Sequence, residues 1–209
     1  MLPKMSNLVS EGYHGLSEGY IKKSVNITVL VISAMAFGIM AVSKEFMPLF
    51  YGKGFSTNII LFQILLPSCI FMAVANIVRT QYLMPYKLDR IYIQSTIIGA
   101  LVNITINFLL IPKYSSIGAS IGTLVAEASV CIYQIICIRK EIAILNYIYE
   151  TYKYILYGFI IYLIIYKLPI LGDLRLSLII KIILGIILYL PLGILFLVKK
   201  KEINNEIYE

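Results

Sequence analysis

The sequence predicts an all-α polytopic membrane protein with about six transmembrane helices. The chain is 60% hydrophobic and 14% charged, whereas a soluble domain is about half apolar and a quarter charged. The apolar residues are concentrated in six long runs, and a run of about 20 apolar residues crosses a bilayer core as a helix. The runs are continuous and do not alternate in polarity, which favours helices over barrel strands.

The six runs are separated by short polar stretches, and each run predicts one span. Boundaries follow from the positions at which charged residues, glycines and prolines interrupt the apolar pattern. The predicted spans are 24–43, 57–78, 91–111, 117–138, 154–171 and 176–198.

The polar stretches complete the predicted organisation of the chain. Residues 1–23 are expected to form a cytoplasmic segment, either an amphipathic helix at the membrane surface or a simple connector. A four-helix membrane core then covers 24–138, and a cytoplasmic loop follows at 139–153. Two further transmembrane helices occupy 154–198, and residues 199–209 form a cytoplasmic tail.

The distribution of basic residues predicts the orientation. Twelve of the 18 Lys and Arg residues lie on the side of the N-terminus, five lie on the other side, and Lys181 lies within the sixth run. Because cytoplasmic loops carry the excess of positive charge, both termini are expected in the cytoplasm. The same bias supports an even number of spans.

One carboxylate, Glu127, lies near the middle of the fourth predicted span. An ionisable group at that depth costs a few kcal/mol on insertion scales and usually faces protein or water. Gly118 and Gly122 form a GxxxG pair on a face roughly opposite Glu127, which allows a neighbouring helix to approach closely. Glu127 is therefore either a cavity carboxylate that binds a proton, a cation or a substrate hydroxyl, or a protonated packing group between helices.

Four further polar residues are candidates for the interior. Asn103 and Asn107 project together from the third span and could bind sugar hydroxyls or join helices. Arg79 ends the second span, where it could hold phosphate or anchor the helix at the interface. Lys181 lies about one turn inside the sixth span and is expected to reach the outer interface or to add positive charge to a cavity.

Enzyme chemistry is not expected from this sequence. Asp89 and Asp173 are solitary, and no large extramembrane loop is present to carry a catalytic site. The three cysteines lie within apolar runs, where cysteine usually behaves as a small hydrophobe. No metal ion, cofactor or nucleic-acid partner is expected.

Several ordered motifs resemble a known family. Phe50-Tyr51-Gly52-Lys53-Gly54-Phe55 follows the first span, and Thr80-Gln81-Tyr82-Leu83 ends the second. The most specific succession is N-x-x-x-N-x-x-L-I-P-K-Y-x-x-x-G-A from Asn103 to Ala119. Over about residues 1–140 the chain resembles the polysaccharide-repeat-unit flippases of the multidrug/oligosaccharidyl-lipid/polysaccharide superfamily, which export O-antigen and capsule units.

The resemblance implies a MATE-like C-terminal bundle in a bacterial inner membrane. It implies translocation of an undecaprenyl-diphosphate-linked oligosaccharide, with Glu127, Asn103, Asn107, Arg79 and Lys181 along the substrate or ion path. It also implies that the first helix of that bundle is missing, through truncation or because a separately encoded N-terminal half is the partner. A drug/cation antiporter of the same superfamily and a nonfunctional remnant are the alternatives.

Overall fold

The computed structural model describes residues 1–52, 54, 58–169 and 172–208, and describes the burial of their side chains except at 192 and 194–208. The protein is 87% helical, and no strand occurs in these ranges. A π-helical turn, Arg79–Leu83, continues α5 without a break. The helices are α1 (Leu2–Ser10), α2 (His14–Ala41), α3 (Ser43–Tyr51), α4 (Asn58–Leu65), α5 (Ser68–Val78), α6 (Asp89–Tyr114), α7 (Ser116–Ile138), α8 (Ile144–Lys167) and α9 (Leu174–Tyr208).

Six helical segments of the described chain are long and apolar enough to cross a membrane, which confirms the predicted fold class. The second segment combines α4, α5 and the π-helical turn. The predicted ends at 57 and 171 and the side chains of the predicted tail 199–209 lie outside the described residues. The six segments are His14–Ala41, Asn58–Leu83, Asp89–Tyr114, Ser116–Ile138, Ile144–Lys167 and Leu174–Pro191.

Two helices begin about ten residues earlier than the hydropathy indicates. Helix α2 begins at His14, within the predicted segment 1–23, and α8 begins at Ile144, within the predicted loop 139–153. The two extensions lie side by side, and Lys22 forms an ion pair with Glu150 at 2.9 Å. Hydropathy places a span's end where charges begin, but these charged turns remain helical and pair with each other.

The short N-terminal helix packs against the body of the protein. Met5 of α1 is fully buried and belongs to the same apolar cluster as Ile21 and Val25 of α2. The exposed ammonium of Lys4 donates a hydrogen bond to the Tyr20 hydroxyl at 2.7 Å. The segment that was predicted to be either a surface helix or a connector is therefore helical from Leu2 to Ser10.

Helix α2 is central to the packing of the spans. Helix α2 packs against α5 on one side and α8 on the other, α7 packs between α5 and α6, and α9 packs on α8. Helices α6 and α9 stand at the two edges, and many of their large apolar side chains are exposed, including Phe108 and Ile186. In a bilayer such side chains face lipid, as expected for the rim of a membrane bundle.

Helices α6 and α7 form the closest helical pair. A Cβ atom added at Gly118 would lie 2.6 Å from the Leu110 carbonyl oxygen, and one at Gly122 would collide with the Asn107 side chain. Only glycine leaves room for these contacts, because real Cβ atoms do not approach backbone so closely. The predicted role of the GxxxG pair in close helix packing is confirmed.

The second span is interrupted twice. Residues Leu66 and Pro67 separate α4 from α5, and the π-helical turn then carries the span five residues beyond its predicted end. Proline breaks the helix because it has no backbone N–H and clashes with the preceding turn. Arg79 is the first residue of the π-helical turn and therefore lies inside the span, one turn before its end.

Candidate functional site

A cavity of about 810 Å³ lies between α5, α6 and α7, with Ile32 of α2 at its wall. It contains three of the five predicted site residues: Glu127, Asn103 and Arg79. Most of the remaining wall is apolar. The other polar residues that line it are Asn76, Tyr92, Thr96, Thr123 and Gln134.

The charged residues stand at different levels of this cavity. Arg79 contacts Tyr92, near the beginning of α6, and Gln134 contacts Ser95 one turn further along the same helix. Glu127 precedes Gln134 by seven residues, or about 10 Å along α7. The guanidinium is therefore at the end nearer the N-terminal side of the membrane, and the carboxylate is near mid-span.

Glu127 is half-buried and makes no hydrogen bond or ion pair with another described residue. Neither of the ion pairs Lys22–Glu150 and Lys181–Glu45 involves Glu127, and no ion pair between Glu127 and Arg79 is found among the described residues. The predicted alternative, a packing hydrogen bond between helices, is not found among these residues. Its carboxylate oxygens are therefore available to a ligand in the cavity.

Asn103 and Asn107 bind each other. The Asn107 amide nitrogen donates to the Asn103 side-chain oxygen at 2.8 Å, within α6 and not between helices. Asn107 lies against Gly122, and it is Asn103 that lines the cavity. The predicted pair of cavity amides is thus one lining residue with a second that fixes its orientation.

The Arg79 guanidinium is half-buried and turned toward the cavity. Its Nη2 donates to the Asn76 side-chain oxygen at 2.7 Å, and its Nη1 is 3.4 Å from the Tyr92 hydroxyl. The guanidinium carbon also lies 5.3 Å from the centroid of the Tyr92 ring, within cation–π range. These contacts differ from those of the predicted interfacial anchor, which would extend toward lipid headgroups.

Lys181 does not line this cavity, and its predicted reach to the outer interface is wrong. Its ammonium donates to Glu45 at 2.6 Å and to the Leu168 carbonyl at 2.9 Å, and both charged side chains have 0% exposure. Lysine in a span usually reaches the interface because isolated charge is expensive in lipid. Here α3 turns back after the first span and brings Glu45 to α9, so the charge is neutralised internally.

Without Lys181, Arg79 is the one basic residue that lines the cavity within the described chain. The resemblance implied that Arg79 and Lys181 lie along one path, but of the two Arg79 alone lines this cavity. When Glu127 is ionised, the lining of the cavity carries one positive and one negative group, and the two lie at different depths in the membrane.

None of the five other polar lining residues was predicted as a site residue, and Asn76, Tyr92 and Gln134 are three of them. Asn76 lies one turn before Arg79, Tyr92 supplies the ring beside the guanidinium, and Gln134 is only 1% exposed. Gln134 shares the helical stripe of Glu127, which was the available sequence signal. Tyr92 resembled the other tyrosines near span ends and could not be distinguished from them.

The described residues contain no group of three or more His, Cys, Asp or Glu placed to hold a metal ion. The fold and the cavity define an all-α, multi-pass membrane protein with polar groups gathered at membrane depth. In comparisons with known proteins, no family model, curated protein or solved structure matches this chain.

Proposed function

We propose that this chain forms part of a flippase that moves lipid-linked oligosaccharide repeat units across a bacterial inner membrane for surface polysaccharide synthesis. The substrate would be of the undecaprenyl-diphosphate type, and both termini would lie in the cytoplasm. The proposal joins the family resemblance of residues 1–140 to the composition of the cavity. The observation that carries it is the grouping of Glu127, Asn103 and Arg79 in one cavity.

The cavity chemistry suits a ligand with a charged end and an uncharged polar part. Arg79 stands at the end nearer the N-terminal side, where a guanidinium can bind phosphate oxygens. Further along the cavity the lining offers the Asn103 amide, the Thr123 hydroxyl and the Glu127 carboxylate, groups that bind sugar hydroxyls. A diphosphate-linked glycan entering from the cytoplasm would meet these groups in that order.

The open side of the cavity supports a second membrane unit as partner. Asn76 and Thr96 line the cavity and are both exposed. Polar side chains at membrane depth normally face protein or water, since lipid offers no hydrogen-bond partner. We propose that a second membrane unit covers this side, and that alternating exposure of the enclosed space moves the glycan while its lipid tail stays in the bilayer.

The experiment compares a deletion strain with strains that carry single variants. Deletion should cause lipid-linked oligosaccharide to accumulate and surface polymer to fall. Glu127→Gln should lower surface polymer at an unchanged level of protein in the membrane, because the amide keeps the size of the side chain but cannot ionise. Glu11→Gln is the matched control, since Glu11 lies exposed in the turn between α1 and α2. Wild-type polymer in the Glu127 variant would contradict the role of the carboxylate.

Glu127 has no ion-pair or hydrogen-bond partner among the described residues, and this also favours a second function, a drug/cation antiporter. A carboxylate that no lysine or arginine neutralises can exchange a proton for a cationic substrate. In that case deletion would increase sensitivity to cationic drugs and leave lipid-linked oligosaccharide at its normal level. The two measurements on one deletion strain separate the two functions.

A further inference from the structure

The end of the cavity near Arg79 contains two buried polar atoms without partners. Nε of Arg79 and Oε1 of Gln134 are both shielded from solvent, and neither has a hydrogen-bond partner among the described residues. Both side chains line the same cavity. A buried donor or acceptor that stays unpaired loses its hydrogen bonds to water without replacement, so such atoms call for an explanation.

The hydrogen bonds of Ser95 determine which end of the Gln134 amide is unpaired. Ser95 donates its hydroxyl proton to the Tyr92 carbonyl at 2.7 Å, so its oxygen can only accept from Gln134. The Gln134 amide nitrogen is the donor at 2.9 Å. Rotating the amide by 180° would leave this contact with two acceptors, and the carbonyl oxygen is therefore the unpaired atom.

Arg79 and Gln134 contact the same turn of α6. Arg79 lies against the Tyr92 ring and hydroxyl, and Gln134 is bonded to Ser95, three residues further along. No hydrogen bond joins the two side chains to each other within the described chain. The site thus offers an unpaired cationic donor and an unpaired neutral acceptor on one short stretch of wall.

A sugar attached to phosphate has the complementary groups. Its phosphate oxygens accept from a guanidinium, and its hydroxyls or acetamido N–H donate to an amide oxygen. Uncharged lipid tails offer neither group, and a simple cation would be repelled by Arg79. The pairing of donor and acceptor therefore selects the sugar–phosphate junction of a lipid-linked glycan.

Resting on the function proposed above, we infer that Gln134 is a specificity-determining residue that binds the sugar next to the diphosphate. The Gln134 amide nitrogen is already bonded to Ser95, so the carbonyl oxygen is the atom that remains for the ligand. Arg79 binds the adjoining phosphate. The first sugar of the repeat unit would thus be recognised at the end of the cavity near Arg79.

The test compares Gln134→Met with Ser95→Ala in the deletion strain, with surface polymer measured per molecule of membrane-inserted protein. Methionine removes the acceptor, whereas Ser95→Ala removes the bond between α6 and α7 but keeps the acceptor. We expect about a five-fold loss of export for Gln134→Met, the factor for one hydrogen bond to an uncharged group. Ser95→Ala should stay within about two-fold of wild type. Equal losses in both variants would assign Gln134 to helix packing and overturn the inference.

Two further outcomes are distinguishable. Accumulation of lipid-linked oligosaccharide on deletion, together with wild-type export by Gln134→Met, overturns the role of Gln134 and leaves the flippase function standing. No accumulation on deletion overturns both. Gln134→Asn withdraws the amide by one methylene and serves as a second variant if the methionine protein does not reach the membrane. The same five-fold loss relative to Ser95→Ala is expected from it.

Discussion

Replacing Lys181 by methionine should destabilise the protein strongly. The substitution keeps much of the side-chain volume but leaves the Glu45 carboxylate buried with a single hydrogen-bond donor, the Ser177 hydroxyl at 3.4 Å. Because both side chains of the pair have 0% exposure, the carboxylate left behind stays shielded from bulk solvent. Removing one partner of such a pair costs about 3–5 kcal/mol. For a chain of about 200 residues, this lowers the melting temperature by roughly 6–20 °C.

The assay is thermal unfolding of the detergent-purified protein, followed by the loss of the monodisperse peak. The double variant Glu45→Gln/Lys181→Met removes both charges and should recover most of the lost stability, since replacing a whole buried pair is often neutral. Lys44→Met is the control, because Lys44 is the exposed neighbour of Glu45 and should matter little. A Lys181→Met protein that melts with the wild type, or a double variant less stable than the single one, would refute the reasoning.

Three other predictions concern helix contacts. Gly122→Val should lower the amount of folded protein in the membrane, because its side chain would collide with Asn107; Gly38→Ala, which meets nothing within 4 Å, should be tolerated. Tyr82→Phe should cost about 1–2 kcal/mol in thermal unfolding, since it removes the hydrogen bond to the Glu141 carboxylate. Asn107→Leu should reduce surface polymer more than it reduces the amount of protein in the membrane. The reason is that Asn107 orients Asn103, which lines the cavity, but does not line the cavity itself.

Hydropathy was sufficient to predict the helical class and six spans, because crossing lipid requires long apolar helices. It could not predict that α2 and α8 extend beyond their apolar parts. Their charged turns are stabilised by contacts between helices distant in sequence, such as Lys22 with Glu150. A hydropathy average over residues that are neighbours in the sequence contains no information about contacts between distant helices.

The candidate site was predicted in part. Glu127 and Asn103 were recognisable because polar groups in a span are costly and periodic. Lys181 was misassigned because its partner, Glu45, lies 136 residues away in the segment after the first span. One indication of this ion pair was present in the sequence, namely a lysine and a glutamate that are both expected near the same membrane surface. Many lysine and glutamate residues that do not pair have the same placement. Which polar residues meet in one cavity depends on helix packing and rotation, which the sequence pattern alone does not determine.

The short link between α6 and α7 has a consequence for biogenesis. Ser115 alone joins the two helices, and its φ of 48° reverses the chain. With no loop between them, neither helix can be threaded into the bilayer independently, so they must enter as a preformed hairpin. Helix α7, with its mid-membrane carboxylate, would then enter alongside apolar α6, already apposed through Gly118 and Gly122. Separating the pair with a long flexible linker should therefore impair insertion of α7 during synthesis, even where the finished protein would tolerate the linker.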